Sequence, residues 1–208
     1  MKTPITRDRL QQHFRYHWWM YVLSAVLCFF ALNLFFSVTE YRAPDEKKLD
    51  MFVDAAGMDQ EAWTAWMGKV RDEKFPQVEE VSAGVLLMND AYGPMQLATF
   101  MAAGEGDIYI LSADSFRTYA GSGAFVPMDV VCPELLEKSA AAGCVVDKGT
   151  AANENGEKHI YGFPLQPLAG LNRFGIRPDR LYLCIRDGSQ NPQDAVALTE
   201  SMLDELRE

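Results

Sequence analysis

From Trp18 to Thr39 the chain has no Asp, Glu, Lys or Arg, and most positions are Leu, Val, Phe, Ala, Met or Trp. A helix needs ~20 such residues to cross the hydrocarbon core of a bilayer, so this stretch constrains the chain more than any other. Tyr16, His17, Trp18, Trp19 and Tyr21 form an aromatic collar of the kind that sits at headgroup level, and Arg7, Arg9 and Arg15 precede it. Those charges predict a cytoplasmic N-terminus, residues 1–17, a transmembrane helix over 18–39 and an extracytoplasmic body. The apolar run exceeds the ~7–15 residues of a secretory signal. Ser37-Val38-Thr39 is a poor cleavage site, although removal after Thr39 stays open, and Leu27 before Cys28 does not fit a lipoprotein signal. The expected location is the cell membrane, single-pass, with a signal-anchor.

Charge divides the chain in the same place. The first 39 residues carry a formal +3, from Lys2, Arg7, Arg9 and Arg15 against Asp8, within a whole-chain charge of −10, which leaves −13 on residues 40–208. So acidic a body excludes nucleic acid as a partner, because phosphates demand a Lys/Arg-rich surface. Three scattered histidines and no Cys-x-x-Cys predict no metal site and no cofactor. Cys132 and Cys144 bracket a short helix, so either a disulfide or two reduced thiols is open there, whereas Cys184 lies in an apolar strand pattern.

Beyond a charged tether at 40–48, strands alternate with helices. Leu49–Ala55 reads as a strand, and Asp59 caps a helix whose Trp63, Trp66, Met67 and Val70 fall at i, i+3, i+4, i+7. Val78–Met88 reads as a strand. Asn89 or Asp90 then caps a helix through Leu97 and Met101 that stops at Gly104. Asp107–Leu111 reads as a strand, and Ser112 caps a helix carrying Phe116 and Tyr119. This order predicts an α/β fold with a mostly parallel sheet flanked by helices. Pro133–Ala142 predicts a short helix, Val145–Val146 and His159–Phe163 strands about a polar turn, Leu181–Ile185 a strand, and Asn191-Pro192 the start of the last helix.

Met95-Gln-Leu-Ala-Thr-Phe-Met-Ala-Ala-Gly-Glu-Gly-Asp-Ile-Tyr-Ile-Leu111, with Gly123-Ala-Phe-Val-Pro-Met-Asp129 after it, resembles bacterial extracellular solute-binding proteins of ABC importers, family 1-like. Tyr161-Gly-Phe-Pro-Leu165 resembles the strand by which such chains re-enter the first lobe. Leu181–Arg186 and Asn191-Pro-Gln-Asp-Ala195 resemble their late strand and helix. Gly106-Asp107 departs from the family's Pro-Asp. Members are normally much longer, so the resemblance implies a single periplasmic-binding-protein-like lobe over 49–208, with 130–158 a reduced vestige of the second. It also implies transport or sensing of a small polar solute, with an ABC permease or another membrane protein as partner.

No catalytic constellation assembles. Gly121-Ser122-Gly123 sits where a helix must end, and no phosphate-cradling loop or His-Glu-x-x-His occurs, so the expectation is a non-enzyme. Ligands of open parallel sheets lie at the carboxyl ends of strands, which nominates Asp59, Asn89, Asp90, Tyr92, Ser112 and Asp114, with Tyr161 from the return strand. Each has a structural alternative: Asp59, Asp90 and Ser112 as helix caps, the tyrosines as packing residues. The functional alternative is an interaction ectodomain of the same ancestry that no longer binds a ligand.

Overall fold

The computed structural model describes residues 7–39, 43–88 and 90–207, without the side chains of residues 7–14 and 17. It divides into two units, Met1–Arg42 and Ala43–Glu208.

The first unit is one helix, α1 (Arg7–Thr39). Its Trp18–Thr39 segment is long and apolar enough to cross a membrane, and 22 residues at ~1.5 Å each span ~33 Å. Apolar side chains cover it on all sides and are exposed. The Asn33 amide and the Thr39 hydroxyl donate to the helix's own carbonyls at Phe29 and Phe35 (3.2 and 2.7 Å), which hides two polar groups an apolar medium penalises.

The second unit is an αβα sandwich. Its strands are β1 (Lys48–Val53), β2 (Glu80–Val85), β3 (Ile108–Ser112), β6 (Phe163–Pro164) and β7 (Leu181–Ile185), in the spatial order β2-β1-β3-β7-β6. β1 pairs in parallel with β2 and β3, whereas β7 runs antiparallel to both β3 and β6. The expected sheet is therefore mixed. The strand–helix–strand rhythm sets the parallel half, but β7 is reached without an intervening crossover helix and inserts in the opposite sense. A separate hairpin joins β4 (Thr150–Ala152) to β5 (Lys158–Ile160).

One face of the sheet carries α2 (Gln60–Lys74), α6 (Pro133–Ala141) and α7 (Pro192–Glu205) over a core that includes Leu49, Met51, Val53, Ile108, Ile110 and Leu183. The other carries α3 (Gly93–Ala103) and α4 (Ala113–Tyr119) over Leu86, Tyr109, Leu111, Tyr182 and Cys184. β1 buries alternate residues and β7 buries all five, as a strand covered on both faces must. Trp63, Trp66, Met67 and Val70 are buried together, and Asp59 accepts the Ala62 N–H at 3.0 Å as the helix cap.

Among the remaining segments, one strand expectation is corrected. At the end of the expected tether a 3-10 turn at Asp45–Lys47 leads into β1, the Asn191 amide donates to the Asp45 and Lys48 carbonyls (2.9 and 2.7 Å), and Lys47 pairs with Glu79. Val145–Val146 is no strand, because Val146–Gly149 closes a 3-10 turn and strand pairing starts at Thr150. Cys132 and Cys144 are free thiols that flank α6. The segment 130–158 places Leu135, Leu136 and Cys144 in the main core.

Candidate functional site

Strand direction builds the site. β1, β2 and β3 all end at one edge of the sheet, and because β7 is antiparallel the chain leading into β7 reaches that same edge. An open cleft of about 1070 Å³ lies there, lined by Asp54–Gly57, by Ser112, Asp114 and Ser115 at the β3–α4 junction, and by Arg177, Asp179, Arg180 and Leu181. Backbone hydrogen bonds make the rim rigid. The Asp54 N–H donates to Ile110 O at 2.8 Å, and Asp54 Oδ2 accepts the Ser112 N–H at 3.2 Å. The Ser112 and Ser115 hydroxyls are 3.0 Å apart, and the Ala113 N–H donates to Arg180 O at 2.9 Å.

Arg180 carries a left-handed backbone, φ 69°, alone among the described non-glycine residues. Such a conformation costs a side-chain-bearing residue free energy and persists where neighbours enforce it; here the bond from Ala113 does so. On the far wall Gly175, φ 73°, comes so close to the Gly57 carbonyl that a Cβ has no room. The Asp59 N–H ties the same loop to Phe174 O at 2.9 Å.

Of the described residues nominated from sequence, Ser112 and Asp114 line this cleft and the others do not. Asp59 is occupied as the α2 cap. Asp90 bonds the Ala91 N–H at 2.7 Å within a turn, and α3 begins only at Gly93-Pro94. Ser112 directs its hydroxyl to Ser115 rather than to a helix N–H. Tyr92 is 72% exposed and outside the cleft, whereas Tyr161 is buried in the core beside α4. Asn89 lies outside the described residues. Asp54, Arg177, Asp179 and Arg180 were not nominated. The signal available for the last three was the charged Arg177-Pro-Asp-Arg180 run just before a fully apolar strand.

The remaining reactive groups sit elsewhere. His159 Nδ1 is 2.9 Å from Asp129 Oδ2, and Asp129 Oδ1 accepts the Ile160 N–H at 3.0 Å, which fastens the hairpin to α5 (Met128–Val131). Nearby Cys132 is no activated nucleophile: burial, with the Asp129 charge adding to it, pushes its thiol up to about 11. Among the described residues no three His, Cys, Asp or Glu side chains are grouped to hold a metal ion.

No family model matches the chain, and no curated protein sequence does. Among solved structures it is similar to an extracellular solute-binding protein family 1 from Alicyclobacillus acidocaldarius, at 20% identity over 56% of this chain and 27% of that one, TM-score 0.41. A protein described as a probable secreted solute-binding lipoprotein from Streptomyces coelicolor aligns at 18% identity over 60% and 30% of the two chains, TM-score 0.40. The N-glycan transport solute binding protein NgtS from Streptococcus pneumoniae, in complex with Man5GlcNAc, aligns at 17% identity over 59% and 25%, TM-score 0.36. The chain thus spans 25–30% of the length of these proteins.

Proposed function

We propose that this chain is a non-enzymatic, membrane-tethered, extracytoplasmic module that binds a small polar solute for uptake or sensing, with a permease or another membrane protein as its partner. The observation that carries the reading is the cleft: it lies at the carboxyl edge of the parallel strands, where open α/β sheets bind ligands, and polar side chains from three separate loops converge on it. In this reading Trp18–Thr39 spans the bilayer, residues 49–208 form a single binding lobe, and 130–158 is what remains of a second. One lobe leaves a ligand half exposed, whereas tight pockets bury ~70–90% of its surface, so affinity is expected near ~1 mM. The test is ligand-observed NMR on the full chain in nanodiscs against neutral oligosaccharides, short peptides and polyamines. Binding of one class at millimolar concentration supports the reading, and binding of none rejects it.

A second reading, an interaction ectodomain, draws on one feature beside the cleft. Leu87, Tyr92 and Met95 are 44%, 72% and 64% exposed on the β2–α3 connection and the start of α3. Exposed aromatic and Met side chains of this kind are common at protein interfaces. If no solute binds, this surface becomes the first place to substitute in a partner screen.

A further inference from the structure

The two arginines of the cleft stand out against the charge of the whole domain. Residues 40–208 carry −13, yet Arg177 and Arg180 both reach this one cavity, and neither has a hydrogen-bond or ion-pair partner among the described residues. Surplus carboxylates are available to neutralise them, but Asp114 is instead 3.2 Å from Arg117 on the surface of α4. Asp179 lies between the two arginines in sequence and also lines the cleft, unpaired. Asp54 also lines the cleft, uses Oδ2 for the Ser112 N–H and leaves Oδ1 without a bond among the described residues. The cleft is therefore lined by two arginines and two aspartates that lack an ion-pair partner among the described residues.

Guanidinium forks match a carboxylate with paired, charge-assisted hydrogen bonds, and a carboxylate accepts the same kind of bond from an ammonium. A simple anion meets the general negative field of the domain, and a simple cation meets the arginines. A solute with both charges and no net charge avoids both penalties and satisfies both sets. Resting on the solute-binding reading above, we propose that the cleft takes a small zwitterion, a free amino acid or short peptide. Its carboxylate lies on Arg177 and Arg180, and its ammonium lies toward Asp54 and Asp179.

The experiment titrates the full chain in phosphatidylcholine nanodiscs by saturation-transfer NMR with triglycine, triglycinamide, N-acetyltriglycine and maltotriose. Triglycine is expected to bind at millimolar concentration, and loss of either terminal charge to weaken it at least ~tenfold. Arg177→Gln, an exposed position, is expected to weaken triglycine by a similar factor and not to weaken triglycinamide; Arg180→Gln is the second variant, and near-UV circular dichroism verifies that both fold. Equal binding of triglycine and triglycinamide, or triglycine binding indifferent to both arginine variants, overturns the inference. Maltotriose binding without triglycine binding overturns it and leaves the solute-binding reading standing. Binding of none of the four ligands overturns the inference, and the solute-binding reading falls with it when the polyamines fail to bind as well.

Discussion

Asp107 is the buried carboxylate of the domain among the described residues, and it holds the edge of the sheet opposite the cleft. Its Oδ2 accepts the Asp50 N–H at 3.0 Å and its Oδ1 the Ser189 hydroxyl at 2.6 Å, which joins β1 to the turn after β7. Burial raises its pKa above the ordinary carboxylate value and the nearby Asp50 charge adds to this, against the opposing pull of the Ser189 and Asp50 hydrogen bonds and of Arg186. A raised folded value means the protonated form is the one the fold favours. Its contribution is fully present below the unfolded value, ~3.9, and is lost as pH rises through the folded one. Asp107→Asn keeps the shape but cannot titrate, and its NH2 faces a donor, at a cost of ~1–3 kcal/mol. The stability advantage of wild type over Asp107→Asn, read from urea midpoints, should therefore shrink between pH 3.5 and pH 7. An advantage that grows with pH reverses the sign assigned to Asp107. Sequence marked Asp107 only as the start of a strand, since nothing local distinguishes a buried Asp from a solvated one.

Elements were legible where one short-range rule set them. The α2 helix has a cap, an apolar stripe and a Pro beyond its end, and the structure follows all three; Leu181–Ile185 is apolar at every position and forms a strand over those same residues. Short elements with competing local bonds were not legible. Asp90 resembles a cap, but Gly93 packs so closely on the Leu87 carbonyl that the helix starts later. Thr150–Ala152 has no strand pattern and becomes one only by pairing with β5. The α2 packing gives two predictions. Trp66 stacks on Trp63 at 4.8 Å and donates to Glu205 on α7 at 2.9 Å, so Trp66→Ala should cost ~3–5 kcal/mol in the urea midpoint. Asp59→Ala removes only the cap bond and should cost ~0.5–2 kcal/mol. A Trp66 variant no less stable than the Asp59 variant contradicts this account of the core.

At the scale of the whole molecule, the edge that carries the candidate cleft was legible and most of its lining was not. The strand-end rule finds Ser112 and Asp114 because they follow a parallel strand. It misses Arg177, Asp179 and Arg180 because they precede an antiparallel one, and that reversal is set by long-range pairing with β3 and not by any local pattern. The charge-free span and its flanks are local, so the proposed topology rests on sequence alone. In that proposal the positive charge before the span stays in the cytoplasm and the cleft-bearing unit lies outside. The exposed turn at Glu154 reports on that directly. In a chain with Cys132, Cys144 and Cys184 replaced, a cysteine at position 154 should react with a membrane-impermeant maleimide in intact cells, whereas one at Thr3 should react only after lysis. Cys28 lies inside the apolar span, away from the reagent. Labelling at position 3 and not at 154 inverts the orientation and puts the cleft in the cytoplasm, where it cannot meet solutes arriving from outside. Labelling at both points to cleavage or to a leaky membrane, and immunoblotting for a tag at the N-terminus separates the two, since cleavage after Thr39 removes the tag from the body.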